Sequence, residues 1–237
     1  AGAVPDAIAE NISYLREGGS LRTTFHVSSP WFEGDIALPL PGEFNVYNAL
    51  AAIAACGVCG LPAGNVARAL SGVSARGRTE PIDEGQDFTV LVDYAHNAAS
   101  LKPLLETLRV HGFGRIVTVF GCGGDRARDR RFDMGEVSGR LSSLTVITSD
   151  NPRSEAPAAI MDDIEAGMRR TDGQYIKIED RREAIEYALG CAKAGDLVVI
   201  AGKGHETTQT SVRQTVHFDD AEVARECLAR LKGKRTT

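Results

Sequence analysis

Four short segments of this 237-residue chain concentrate charge, glycine and hydrogen-bonding side chains at spacings able to hold a small ligand. They are Asp93-Tyr94-Ala95-His96-Asn97, Gly121-Cys122-Gly123-Gly124-Asp125-Arg126, Ser149-Asp150-Asn151-Pro152-Arg153 and Gly202-Lys203-Gly204-His205-Glu206. Glycines let a backbone approach an anion closely, and Arg126 adds a fork of donors for carboxylate or phosphate. Alone, that segment reads equally as a turn with a solvated arginine. Pro152 biases Asn151 to an extended shape and delays the next helix. The free N–H groups at that helix start, near Ala156, would then join Arg153 in suiting a carboxylate. The competing reading is an N-capping Asp or Ser with a surface salt bridge. Gly202-Lys203-Gly204 has the letters of a phosphate loop but lacks the Ser or Thr that would hold magnesium. Lys203 remains a candidate anion ligand, and Glu206 a candidate ammonium ligand. His205 reads as a structural imidazole rather than a base, with no metal-ligand spacing around it. One pocket offering Arg126, Arg153 and Glu206 would match a zwitterion, carboxylate to arginine and ammonium to glutamate.

These segments need a scaffold, and the pattern after residue 80 supplies one. Apolar, β-branched runs at Phe88–Val92, Arg115–Phe120, Leu144–Thr148, Tyr175–Ile178 and Leu197–Ala201 alternate with helical patterns at Ala98–His111, Phe132–Leu141, Ala156–Arg170 and Arg181–Ala192, and a last helix is expected from Asp219 to Leu231. Continuous apolar strands separated by amphipathic helices predict an α/β fold, a mostly parallel sheet with helices on both faces. Ligands of such sheets bind beyond the carboxyl ends of the strands, where all four segments fall. Before residue 80 the character differs. Short β-like runs (Asn11–Arg16, Ser20–Val27, Phe32–Leu38) are broken by Gly18-Gly19 and Glu33-Gly34, as hairpin turns require. Helices are expected over Asn45–Gly57 and from Pro62 or Ala63 to Leu70. This stretch is too short to enclose a sheet covered on both faces and reads as the end of a larger domain.

Composition narrows the function classes. With 43% hydrophobic and 25% charged residues the chain is ordinary for a globular protein, and its net charge of −5 argues against a nucleic-acid partner. No run approaches the roughly 18–20 apolar residues of a membrane span, and the start lacks a basic then apolar leader. Five scattered cysteines, including Cys56 and Cys59 in a helical pattern, read as structural thiols of a reducing, cytoplasmic compartment. The phosphate-loop pattern Gly-x-x-x-x-Gly-Lys-Ser/Thr occurs nowhere in the chain.

Six segments in order carry a family resemblance: Gly42-Glu43-Phe44-Asn45-Val46-Tyr47-Asn48-Ala49-Leu50-Ala51-Ala52, Gly77-Arg78-Thr79-Glu80, Val92-Asp93-Tyr94-Ala95-His96, Val119-Phe120-Gly121-Cys122-Gly123-Gly124-Asp125-Arg126, Asp150-Asn151-Pro152-Arg153 and Gly202-Lys203-Gly204-His205-Glu206. Together they resemble the Mur ligases of peptidoglycan synthesis and cell-wall biogenesis, in the branch that adds meso-diaminopimelate to UDP-MurNAc-L-Ala-D-Glu. The resemblance implies that residues 1–78 are the end of a central ATPase domain. It implies that residues 79–237 are a Rossmann-like amino-acid-binding domain. ATP-side residues would be Asn48, Arg78, Asp93 and His96. Diaminopimelate would be held by Arg126, Asp150, Asn151, Pro152, Arg153, Gly202 and Glu206. ATP and Mg2+ would serve a full-length enzyme, whereas this chain alone is expected to bind neither. No catalytic residue and no metal ligand is expected in the chain. The N-terminal half with the UDP-MurNAc-dipeptide site, the phosphate loop and the family's carbamylated lysine would lie outside it, leaving the chain inactive alone.

Lysine has only an ammonium where diaminopimelate has a second carboxylate. If Arg153 pairs with that carboxylate, lysine would leave it buried and unpaired, at about 3–5 kcal/mol. Two departures from the family pattern bear on the ATP side. Asn97-Ala98-Ala99 replaces the common Thr-Pro-Asp, and Phe132-Asp133 places a negative charge near the expected nucleotide path. Competing readings are a non-catalytic binding module of the same fold and a relative that adds lysine or another amino acid.

Overall fold

The computed structural model describes residues 6–17 and 20–235. The Gly18-Gly19 turn and the first five residues, over which a hairpin turn and the absence of a leader were expected, lie outside them. The chain divides into two compact units, Ala1–Ser74 and Ala75–Thr237.

The first unit is an antiparallel sheet of β1 (Ile8–Glu17), β2 (Ser20–Ser28) and β3 (Glu33–Leu38), followed by α1 (Glu43–Val58) and α2 (Ala63–Ser71). Alternate strand residues Phe25, Val27, Ile36 and Leu38 are buried with Val46, Ala49 and Ile53 of α1, as period-2 and helical spacing require. Asn11, at φ 56°, marks a bulge in β1. The Thr23 hydroxyl donates to Leu40 O (2.9 Å) and accepts from Gly42 N (3.1 Å), fixing the Pro-Gly turn that starts α1. A side chain at Gly57 would meet the Trp31 ring at 2.2 Å, so glycine is what admits the indole.

The second unit is a six-stranded sheet in the order β4-β5-β9-β6-β7-β8, with β4 (Glu80–Pro81) antiparallel at the edge. The rest is parallel: β5 (Thr89–Asp93), β9 (Leu197–Ala201), β6 (Ile116–Phe120), β7 (Leu144–Ile147) and β8 (Tyr175–Lys177). Val90, Val92, Val117, Val119, Val146, Val198 and Ile200 pack against α6 (Arg181–Cys191) and α7 (Asp220–Arg235). The alternate positions point to the opposite face. There Thr118 bonds Ser142 (2.7 Å) and Thr145 bonds Ser138 (2.7 Å), beside the packed helices α3 (Ala98–Val110), α4 (Asp129–Leu141) and α5 (Pro157–Met168). Because β9 inserts between β5 and β6, the chain reverses its direction of travel there. The carboxyl ends of β5, β9, β6 and β7 become neighbours at that switch point. A two-stranded hairpin, β10 (Thr208–Thr210) and β11 (Thr215–His217), follows β9 and was not foreseen.

α4 and α5 touch backbone to backbone. A Cβ on Gly135 would lie 2.2 Å from Ile164 O, and one on Gly167 2.0 Å from Phe132 O. Gly167→Ala is therefore expected to destabilise the chain by about 1–3 kcal/mol through overpacking. Gly190→Ala, with open space around it, should be neutral or stabilise by up to about 1 kcal/mol. Urea midpoints of the two variants check the contrast, and equal midpoints would refute the close approach.

Candidate functional site

At the end of β5 the Asp93 carboxylate turns inward. Oδ2 accepts from Thr79 N (2.7 Å) and Oδ1 from Ala95 N (2.8 Å). Burial pushes this carboxyl above its ordinary value, against the opposing effect of those two bonds and Arg78. Above it the Arg78 guanidinium lies 4.9 Å from the Tyr94 ring centre, and the rings of His96 and His205 lie 4.6 and 5.0 Å from that ring. Gly77, at φ 67°, lets this turn lie against the His205 backbone, where a Cβ would come within 2.1 Å of His205 N.

The loops after β6 and β7 interlock. Gly124 N donates to Asn151 O (2.9 Å), and a Cβ on Gly124 would stand 2.0 Å from Pro152 O. Arg153, in the left-handed region at φ 52°, sends Nη1 to Gly124 O (2.8 Å). Beneath them Arg131 is almost fully buried. Its Nη2 donates to Glu155 (2.7 Å) and its Nη1 to Asp163 (3.0 Å), which also receives Arg128 (2.6 and 3.0 Å). Glu155 in turn accepts from Asp125 N (2.6 Å). Helix α5 begins at Pro157, as the proline argument required, and no side chain caps it.

The loop after β9 binds to both. Lys203 has no exposed surface; its Nζ donates to Glu206 Oε2 (3.2 Å) and Thr208 O (2.5 Å). Asn151 Nδ2 donates to the same Glu206 oxygen (2.8 Å), while Asn151 Oδ1 accepts from Thr210 N (2.9 Å). The unforeseen hairpin thus orients the asparagine amide. It adds Gln209 Nε2 to Asp150 O (2.7 Å) and Arg153 N to Thr210 O (3.0 Å). Asp150 is buried, and its carboxyl lies above the ordinary value because burial outweighs the nearby charges of Arg181 and Lys203. Arg181 is itself buried, paired through two 2.7 Å bonds with Asp220 and bonded to Ala201 O (2.9 Å).

These loops enclose a cleft of about 230 Å³, lined among others by His96, Arg126, Asp150, Asn151, Arg153, Gly202 and Glu206. Of the seven residues expected around an amino acid, only Pro152 is not in the lining; it is buried beneath, as the carbonyl on which Gly124 rests. Among the ATP-side residues, His96 lines the cleft, Arg78 and Asp93 do not, and Asn48 lies on α1 of the other unit, donating to Asn45 Oδ1 (3.3 Å).

Two expectations change. Lys203 is not a free anion ligand, because its ammonium is sealed in and bonded to protein acceptors. Arg153 is only half-buried and already donates to a carbonyl, so leaving it without a carboxylate costs less than a fully desolvated charge would. Sequence reasoning also missed Arg130, Arg131 and Cys122 in the lining. Cys122 is a buried thiol pushed up to about 12, chiefly by burial, hence unreactive. Asn97 caps α3 by accepting from Ser100 N (2.9 Å), and Asp133 faces a groove with Lys102 and Glu106 rather than the cleft.

A parallel sheet with a polar cleft at its switch point, floored by buried ion pairs, defines an α/β ligand-binding unit. Residues 77–204, more than half of the chain, match the family model described as Mur ligase, glutamate ligase domain, and residues 3–56 match that of the Mur ligase middle domain. The chain belongs to the Mur ligase family, whose members are ATP-dependent ligases that form C–N bonds.

The UDP-N-acetylmuramoyl-L-alanyl-D-glutamate–2,6-diaminopimelate ligase of Caldanaerobacter subterraneus is 47% identical over 195 residues, covering 82% of this chain and 40% of that protein. The ligase of the same name from Geobacillus thermodenitrificans is 47% identical over 221 residues, covering 93% and 44%. A solved structure of a ligase of that name superposes with TM-score 0.68 at 34% identity over 96% of this chain and 46% of its own. A UDP-N-acetylmuramate-alanine ligase from Thermotoga maritima reaches the same TM-score at 18% identity, a likeness of fold alone. The chain thus spans less than half the length of these relatives.

Asp163 gives the site floor a pH signature. Its carboxyl is held below the ordinary value by Arg128 first and Arg131 next, against burial. A depressed carboxyl contributes stability that is present above the unfolded-state value and lost as pH falls through the folded one. Asp163→Asn should cost about 1.5–3 kcal/mol at neutral pH, since Glu155 still pairs with Arg131. The gap to wild type should close as the solution is acidified below the ordinary carboxylate range, through the depressed Asp163 value. Thermal melts over that range provide the check, and a pH-independent gap would contradict it.

Proposed function

We propose that this chain is the amino-acid-binding part of an ATP-dependent ligase that adds meso-diaminopimelate to UDP-MurNAc-L-Ala-D-Glu. In this reading residues 79–237 form the amino-acid domain and residues 1–78 the end of the ATPase domain. The observation that carries it is the common cleft of Arg126, Arg153 and Glu206, two guanidinium groups and an acid from three different strand ends. The names of the relatives at 47% identity support the choice of amino acid.

Arg126, bonded among the described residues only to the neighbouring Asp125 O (3.1 Å), and Arg153 each take one carboxylate of the ligand. Glu206 takes an ammonium, Asn151 and Gly202 shape the wall beside it, and Asp150 and Pro152 act from beneath as braces of that wall. On the nucleotide side, Arg78 and His96 offer a cation and a ring beside Tyr94, and Asp93 braces the turn that carries them; Asn48 belongs to the same reading from α1. ATP supplies the phosphoryl group that activates the acceptor carboxylate, and the residues of this chain hold the amine that attacks it. The phosphate-loop pattern occurs nowhere in these 237 residues, so that activation calls on groups outside them. Among the described residues no cluster of three His, Cys, Asp or Glu side chains fits a metal ion, and no step is assigned to magnesium. No helix among the described residues is long and apolar enough to cross a membrane, in keeping with a substrate taken from solution.

Calorimetric titration of the chain with meso-diaminopimelate, lysine and glutamate tests the reading. Diaminopimelate should bind about 10–100-fold more tightly than lysine, the worth of one charge-assisted contact at a half-buried arginine. Arg153→Ala should erase that preference. Tight lysine binding without a diaminopimelate signal would overturn the assignment, as would ligation by this chain alone for the division of labour.

A further inference from the structure

The proposed reaction gives Lys203 of the β9 loop no task, and its setting is unusual. A lysine with no exposed surface needs compensation, because an ammonium taken out of water is costly unless paired and hydrogen-bonded. Its Nζ has two acceptors, Glu206 Oε2 at 3.2 Å and Thr208 O at 2.5 Å. The same Glu206 oxygen takes Asn151 Nδ2 at 2.8 Å. Oε1 makes no hydrogen bond among the described residues, and the glutamate lines the cleft. One carboxylate oxygen is therefore tied to the protein and the other is left for a ligand.

We propose that Lys203 is a positioning residue for ammonium recognition: from behind the cleft it clamps Glu206 so that Oε1 faces the ligand, and its charge offsets the two acids, Glu206 and Asp150, that meet there. Neither acid has another lysine to lean on. Asp150, from the β7 loop, is faced by Arg181 of α6, by Lys203 and Glu206 of the β9 loop, and by the Cys122 thiol of the β6 loop; Arg181 is already engaged by Asp220 of α7. The charge of Lys203 favours ionised Asp150 and that of Glu206 opposes it. Without the ammonium, Glu206 would oppose the ionisation of Asp150 with less to offset it, and a protonated Asp150 leaves the cleft a poorer host for a cation. The inference rests on the amino-acid reading of the cleft, with Glu206 as the group that meets the ammonium.

The test compares wild type, Lys203→Met, Glu206→Gln and the double variant of this chain. Calorimetry with meso-diaminopimelate is run from about pH 8 to about pH 5, a range in which an ordinary ammonium stays charged and an ordinary carboxylate stays ionised. Carbon-detected NMR follows the Asp150 carboxyl in the same samples. Lys203→Met should weaken binding by at least about tenfold at neutral pH, and its affinity should begin to fall on acidification at a higher pH than that of wild type. In the Glu206→Gln background the same change should alter affinity by less than about twofold, because the group it acts through is gone. The Asp150 carboxyl should titrate at higher pH once Lys203 is removed. A flat pH profile in Lys203→Met at wild-type affinity would overturn the proposal, as would an unmoved Asp150 titration. If Lys203→Met does not fold, the double variant is compared with Glu206→Gln, and its Asp150 carboxyl should titrate at higher pH than in that single variant. Should wild type take up no diaminopimelate, the amino-acid reading fails, and the Asp150 titration still decides what Lys203 does.

Discussion

The cleft depends on charge that has been taken out of water and paired beneath it. Arg181 with Asp220, Arg131 with Glu155 and Asp163, and Lys203 with Glu206 form a floor in which each buried cation has an acid beside it. An unpaired member of such a set would shift its proton or draw in water, and the loops above would lose their seat. Such pairs add little net stability against a well-packed apolar core. Their yield here is direction. The acids that face the cleft are held in one orientation before any ligand arrives, and the ordering cost is met during folding rather than during binding.

Backbone contact supplies the remaining precision. Gly121, Gly124 and Gly202 stand where a Cβ would lie 2.3 Å from Thr148 O, 2.0 Å from Pro152 O and 2.9 Å from Asp150 Oδ2. The loop after β6 therefore meets the end of β7 and its loop main chain to main chain, closer than side chains allow, while Gly202 lets the β9 loop close on the Asp150 carboxylate. A guanidinium on one loop then holds a fixed relation to a carboxylate on another. Left-handed residues at Asp125 and Arg153 tighten the same joint, a cost of the kind that persists only where surrounding bonds enforce it. Asp125 N bonds Glu155, and Arg153 N bonds Thr210 O.

The parallel sheet was legible because its strands are continuous apolar runs, and Leu197–Ala201 matches its expected bounds end to end. The four strand-end segments were legible for the same reason, since the sheet rule fixes where loops must go. Short polar strands were not. Glu80–Pro81 is two residues long, and Thr208–Thr210 and Thr215–His217 carry no apolar alternation to separate them from loop. Burial of charge was the deeper gap. Arg181 is buried because Asp220 lies beside it 39 residues on, and Arg131 because Asp163 lies 32 residues on. Nothing local in the chain distinguishes either from a solvated surface arginine. Lys203 misled for a related reason: in a glycine-flanked loop its letters suggest an open anion site, and only the return of Thr208 over it shows that it is enclosed.

The second unit contains the whole lining of the cleft and all of its floor, from Tyr94 to Glu206 with Asp220 beneath. In the proposed reading, the groups named for recognition of the amino acid all belong to the second unit. In the same proposed reading, activation of an acceptor would call on a phosphate-binding loop, whose pattern does not occur in these residues. On the proposed reading, a ligand with two carboxylates and an ammonium would be selected by charges already held in place, before any phosphoryl chemistry begins. Selectivity of that kind does not have to be drawn from the reaction step, because the contacts that discriminate are complete in the ground state.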